Sequence, residues 1–201
     1  MFDAQIRPLM DRLLNPVGRE LAACGVKANH VTVIGLLLGL AGAICVAFQL
    51  FHIAFSLILL SRVADGLDGA VARASSTTDF GGYLDIVCDF VFYSAIPVAF
   101  AAAKPENAMA SAFLVFSFIG TTSSFLAFAI FAEKRNISTE IRGKKAFYYL
   151  GGLTEGAETI LLLLAMVIWP RYFIFMAFGF GLLCWITTIT RIYAAYVQFN
   201  H

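Results

Sequence analysis

Charge is what this sequence has least of. Only 13% of its 201 residues are Asp, Glu, Lys or Arg, while 60% are hydrophobic, a balance far from that of a soluble domain. It excludes a chain that folds free in water and leaves an integral membrane protein. Cysteine is also scarce. Cys24, Cys45, Cys88 and Cys184 lack CxxC spacing, which argues against a thiolate zinc site or a disulfide framework and leaves them as small hydrophobes in the core. The net charge of +1 supplies no field that would favour nucleic acid as a partner. Internal repeats, low-complexity tracts and long linkers are missing too. A cleavable signal is not expected, because several charges, Pro8 and Pro16 precede the first long apolar run.

What the sequence does have is apolar runs of bilayer length, roughly 20 residues each. They fall at Val31–Phe51, Ile53–Arg73, Gly81–Ala103, Ala108–Ala132, Tyr149–Trp169 and Tyr172–Val197. The expected fold is an all-α integral membrane protein of six transmembrane helices. With six spans both termini share one side, which then holds Arg7, Arg12, Arg19, Lys27, Arg73, Lys134, Arg135, Arg142, Lys144 and Lys145. The other side holds only Lys104 and Arg171. By the positive-inside rule the termini are cytoplasmic, as expected of a bacterial inner-membrane protein.

Residues 1–28 read differently from the bundle at 29–201. Phe2, Ile6, Leu9, Leu13, Val17 and Leu21 recur at three- to four-residue intervals with charges between them. That pattern predicts a juxtamembrane amphipathic helix lying in the interface, interrupted at Pro16. Packing of the same stripe on the bundle is the equal alternative.

The densest chemistry lies in ADGLDGAVARASSTTDFGGYLDIVCD, between the second and third spans. Asp65 and Asp68 are three apart and Asp85 and Asp89 four apart, so each pair occupies one face of its helix. The short polar SSTTDFG connection predicts antiparallel neighbouring helices whose acidic faces meet. Carboxylates are costly in a bilayer, and four of them repel one another. Arg62 and Arg73 could neutralise two charges, whereas divalent ions neutralise all four and suit hard oxygen ligands. Gly66, Gly69, Gly81 and Gly82 leave room for close approach. The pattern points to two divalent ions, Mg²⁺ or Mn²⁺. Paired metals at a cytoplasmic membrane surface suit phosphoryl or phosphodiester transfer involving a lipid. A cation-coupled transporter is the rival from another class, since intramembrane acids also bind transported ions.

Read as DGLDGAVAR, seven residues, then GGYLDIVCD, the stretch resembles the CDP-alcohol phosphatidyltransferase signature. Asp65, Asp68, Gly69, Ala72, Arg73, Gly81, Asp85 and Asp89 match it. The spacer, Ala74 to Phe80, is one residue shorter than usual, and in KANHVT Ala28 replaces a common Pro while Asn29 and Thr32 remain. A helix cap at Asn29 is the plainer account of that second segment. The resemblance implies six membrane helices, a homodimer and a cytoplasmic active site. It implies metal ligation by Asp65, Asp68, Asp85 and Asp89, with Asp89 also the general base, and donor nucleotide contacts from Thr32, Gly69, Ala72 and Arg73. The implied reaction moves a phosphatidyl group from CDP-diacylglycerol to a small alcohol of glycerol 3-phosphate, inositol or inositol phosphate type, releasing CMP. A CDP-choline- or CDP-ethanolamine-type transfer to diacylglycerol is the alternative within the family. Arg142, Lys144 and Lys145 could receive an acceptor phosphate. Arg191 must face inward, and with Glu155 it is a further acceptor candidate; Glu158 lies three residues beyond Glu155.

Overall fold

The computed structural model describes residues 3–135 and 153–199, with side chains from Met10 onward. Regular structure among the described residues is entirely helical. It comprises α1 (Asp3–Ala23), α2 (Ala28–Ala47), α3 (Phe51–Ala74), α4 (Asp79–Ala103), α5 (Ala108–Lys134), α6 (Gly156–Ile168) and α7 (Phe173–Phe199). Single 3₁₀ turns, Pro105–Asn107 and Pro170–Tyr172, lead into α5 and α7.

Among the described residues, four stretches are long and apolar enough to cross a membrane: Ala28–Ala47, Asp79–Ala103, Pro105–Lys134 and Pro170–Phe199. Gly156–Ile168 is a shorter apolar helix. The expected fifth span began at Tyr149, outside the described residues. At 24 residues α3 is long enough to span, but Arg62, Asp65, Asp68 and Arg73 distinguish it from those four. Apolar side chains also cover the outside, with Leu37, Ile44, Phe116, Phe175 and Ile189 all exposed, as a lipid-facing surface requires.

Polar and apolar residues separate along the helices. On α4, Phe92, Ile96 and Phe100 come after the aspartates, recur every four residues and are buried. Phe100 stacks on Phe173 with ring centroids 4.2 Å apart. On α3, Ala54 and Ile58 precede the charged segment and join the same core, with Leu114, Leu163 and Met166. The charged ends of α3 and α4 therefore share one end of the bundle, beside the Ser75–Thr78 connection. Thr78 caps α4 by accepting from the Gly81 amide at 3.0 Å, satisfying one of the amides left open at a helix start.

Close helix packing depends on a glycine stripe in α2. Gly35 and Gly42 face α3, Gly39 lies between Ser61 of α3 and Phe92 of α4, and Ser61 donates to the Gly35 carbonyl at 2.7 Å. Both α3 and α4 pack on α2, while α3 and α4 scarcely approach each other. The two acid-bearing helices are thus walls of a cleft with α2 as its floor, rather than the directly packed neighbours expected from their short connection.

Two local expectations change. Helix α1 runs unbroken through Pro16. One face docks on α3, where Gly18 lies against Ala70 and Leu14 against Gly66, and this packing holds the helix together despite the hydrogen bond lost at proline. Leu13 and Val17 of the same helix remain exposed, so α1 has both a docked face and an apolar outer face. Helix α2 begins at Ala28 after an N-cap at Lys27, which puts Asn29 inside the helix and not at its cap.

The stripe generates a stability test. A Cβ on Gly39 would stand 2.5 Å from the Phe92 ring and 2.9 Å from Ser61 Oγ, and Phe92 is fully buried. Gly39→Ala should lower stability by about 1–3 kcal/mol through overpacking. Gly179→Ala, at a site with nothing within 4 Å, should leave stability unchanged or slightly raised. Thermal unfolding of both variants in detergent distinguishes the effects.

Candidate active site

Three of the four signature aspartates converge across the cleft. Asp65 and Asp68 from α3 and Asp85 from α4 each offer a carboxylate oxygen, and these atoms all lie within 4.8 Å of one another. Asp68 is 5% exposed, and its Oδ2 is buried with no hydrogen-bond partner. An acceptor so placed is costly unless a cation or donor reaches it. Oxygens bound to one divalent ion at about 2.0–2.6 Å stand at most about 4–5 Å apart. The residues present therefore fit a hard divalent cation at Asp65, Asp68 and Asp85.

Asp89 is engaged differently. Its Oδ1 accepts from Arg62 at 2.7 Å and its Oδ2 from the Tyr93 hydroxyl at 3.3 Å. Arg62 also lies 3.4 Å from Asp65 Oδ1, donates to Ser61 Oγ at 3.1 Å and rests 4.0 Å over the Phe92 ring. Its side chain is only 8% exposed. A buried guanidinium needs such partners to offset lost hydration, and it sits where the acids meet the apolar core. Tyr93, one helical turn after Asp89, was not singled out in the sequence. Its offset from Asp89 was the available signal, but that offset could not show which way the hydroxyl points.

The other signature positions separate. Thr32 is buried, donates to the Ala28 carbonyl at 3.2 Å and lies beside the Asp68 carboxyl, bringing the start of α2 to the cleft. Gly69, one turn after Asp65, would meet only the Arg73 guanidinium if it carried a Cβ; Ala72, the next turn along, is half-buried. Arg73 turns to α1 and binds Asp11 at 2.7 Å and Asn15 at 3.0 Å. Of the two arginines considered as neutralising charges, only Arg62 reaches the aspartates. Gly66 is filled by Leu14, whereas Gly81 lies against Thr78 and Asn29.

Arg191 and Glu155 belong to a second polar group, at the junction of α5, α6 and α7. Arg191 faces inward as expected, is 8% exposed and donates to the Thr121 carbonyl at 3.0 Å. Glu155 acts on it electrostatically. Glu155 and Glu158 also form a capping box at the start of α6. Thr154 and Thr187 pair there at 3.1 Å, both buried, an arrangement signalled in sequence only by the Thr-rich run before Arg191. Arg142, Lys144 and Lys145 lie outside the described residues.

A membrane helical bundle with carboxylates converging at one end defines a class of protein able to hold a divalent cation at the membrane surface. The CDP-alcohol phosphatidyltransferase family model matches residues 26–194, and the chain belongs to that family. Family membership makes it an enzyme and sets aside the transporter alternative. The chain is 45% identical over 198 residues to inner membrane protein YnjF of Escherichia coli, covering 98% of this chain and 96% of that one. It is 34% identical over 87 residues to an archaetidylinositol phosphate synthase of Pyrococcus horikoshii, covering 43% of this chain and 46% of that one. Its fold matches the crystal structure of Mycobacterium tuberculosis phosphatidylinositol phosphate synthase PgsA1 with CDP-DAG bound, at a TM-score of 0.72 and 20% identity over 92% of this chain and 94% of that one.

The acidic convergence predicts unequal metal ligands. Asp68→Asn should weaken Mn²⁺ binding most, because the group lost is the most buried, and Asp65→Asn and Asp85→Asn should each weaken it too. Mn²⁺ titration followed by electron paramagnetic resonance reads this directly. Unchanged binding in all three variants would exclude the site.

Proposed function

We propose that the protein transfers a phosphatidyl group from CDP-diacylglycerol to the hydroxyl of a small alcohol, releasing CMP, in phospholipid biosynthesis at the cytoplasmic face of a bacterial inner membrane. The observation that carries this reading is the meeting of Asp65, Asp68 and Asp85 around the partnerless Asp68 oxygen, with Asp89 beside them, in a chain of this family. The names of its relatives favour an inositol phosphate acceptor over glycerol 3-phosphate or free inositol.

In this reading the acceptor oxygen bonds to the phosphorus of the phosphatidyl group. The bond from that phosphorus to the CMP oxygen breaks, and its electron pair leaves with CMP. Asp89 takes the acceptor hydroxyl's proton. Asp65, Asp68 and Asp85 would hold a divalent cation, which would supply positive charge toward the donor diphosphate. Thr32, Gly69 and Ala72 line the donor's place, the small residues admitting the nucleotide. Arg73 serves that place indirectly by tying α1 to α3. Arg142, Lys144, Lys145, Arg191 and Glu155 receive the acceptor.

The proposed topology keeps six spans, with α3 and the shorter apolar helix α6 completing the count. Residues 1–28 form an interfacial helix on a catalytic bundle of 29–201, and two copies form a homodimer. The decisive experiment incubates purified protein with CDP-diacylglycerol, Mg²⁺ or Mn²⁺ and a panel of alcohols, following CMP and lipid product. CMP release should depend on an alcohol and stop with EDTA. CDP-choline with diacylglycerol serves as the competing arm, and turnover there alone would replace the proposed donor.

Two variants test the assigned roles. Asp89→Asn preserves shape but removes the basic site, so it should retain CDP-diacylglycerol binding and lose kcat by about 10²–10⁴-fold. Neutralising Arg142, Lys144 and Lys145 together should raise the acceptor KM more than the donor KM, and only for phosphorylated alcohols. Equal losses with plain and phosphorylated acceptors would remove the cluster from acceptor recognition.

A further inference from the structure

Arg62 is the one fixed cation that the described residues place against the aspartates, and no residue of the matched signature accounts for it. Its Nη1 lies 2.7 Å from Asp89 Oδ1 and 3.4 Å from Asp65 Oδ1, so it bridges the two walls of the cleft. Ser61 and the Phe92 ring hold the guanidinium from below. Asp89 Oδ1 accepts from Arg62 at 2.7 Å, and Oδ2 accepts the longer 3.3 Å bond from the Tyr93 hydroxyl. Asp65 meets Asp68 and Asp85, with one oxygen of each within 4.8 Å of the others, while keeping its own longer contact with Arg62.

A second divalent ion between Asp89 and Asp65 would have to displace this guanidinium or stand against it. In a partly buried site the repulsion between the two cations is weakly screened. Displacement is no easier, because a side chain only 8% exposed would be left in the bundle without its counter-charge.

We propose that Arg62 stands where a second metal ion would otherwise bind: it holds Asp89 out of metal coordination, so the donor-free protein binds one divalent ion, at Asp65, Asp68 and Asp85. This differs from the pair of ions that four acids imply by sequence, and it rests on the transfer reaction proposed above. Arg62 is then a positioning residue. It anchors one oxygen of Asp89 and leaves the other, restrained only by the longer Tyr93 contact, for the acceptor hydroxyl. The cost of burying a permanent cation is offset by a base that does not move when metal enters or leaves.

The test counts bound Mn²⁺ by electron paramagnetic resonance on the purified full chain without CDP-diacylglycerol. The wild type should hold one ion per chain. Asp89→Asn should hold one with affinity unchanged, while Asp68→Asn loses at least about tenfold. Arg62→Gln should admit a second, weaker ion, which the Arg62→Gln, Asp89→Asn double variant should lose again. Arg62→Lys, which keeps the charge, should remain at one. Two ions in the wild type, or an Asp89→Asn protein that loses affinity as Asp68→Asn does, would overturn the proposal. A folded Arg62→Gln protein that still binds one ion would do so as well. If Arg62→Gln does not fold, the wild-type and Asp89→Asn counts decide alone. CMP release measured on the same wild-type preparation separates the two claims, since its absence would remove the transfer reaction whatever the ion count.

Discussion

The contact between Arg62 and Asp89, 2.7 Å long, joins two helices that scarcely touch. Helices α3 and α4 lie on α2, and at their acid-bearing ends the gap between them is bridged by charged side chains, whereas at the far end Phe51 of α3 stacks on Phe100 of α4. A bundle built only for stability would close such a gap, because dispersion and the matching of small residues drive helix association in lipid. Keeping it open needs a floor that holds the walls in place. The glycine stripe of α2 does this by letting α3 settle close enough for Ser61 to reach a backbone carbonyl.

The distribution of polarity follows from that cleft. Carboxylates are tolerated where helices end near the surface, and their cost rises with depth. The acids therefore occupy the last turns of α3 and the early turns of α4. Phe92 and Ile96 continue α4 into the apolar core. Arg62 lies at the boundary, with its charge toward the acids and its face on Phe92. Helix α1 covers the outer side of the same α3 segment through Gly18 and Gly66, two contacts that larger residues would prevent. A single 24-residue helix thus serves the floor, the acid wall and the docking of α1 by presenting different faces.

The second polar group has a different basis. Arg191 and the Thr154–Thr187 pair find their hydrogen bonds among α5, α6 and α7, satisfying groups that lipid would leave bare. Glu155 both caps α6 and acts on Arg191. The start of α6 is therefore tied electrostatically to α7, on helices other than those carrying the four signature acids.

Much of this was legible in the residues themselves. Composition alone required a membrane protein, and the spacing of Asp65, Asp68, Asp85 and Asp89 placed two acids on one face of each helix, because helical periodicity is a property of the local chain. The inward direction of Arg191 was legible for the same reason, since an arginine within an apolar helix has few other places to go. Sequence spacing could not say that α3 and α4 would stand apart on α2, nor that Arg73 would turn to Asp11 while Arg62 turned to Asp89. Both arginines lie within one helix of the acids in sequence. Which of them neutralises the site depends on the rotation of α3 against α1 and α2, set by glycine contacts that are distant in the chain. The unbroken course of α1 through Pro16 likewise depended on docking, which outweighed the local cost of proline. The sequence by itself determined the solvent, the all-helical character and the acidic faces, because these follow from composition and periodicity. Only the tertiary structure decided which charges meet, because that rests on packing between segments that local periodicity does not relate.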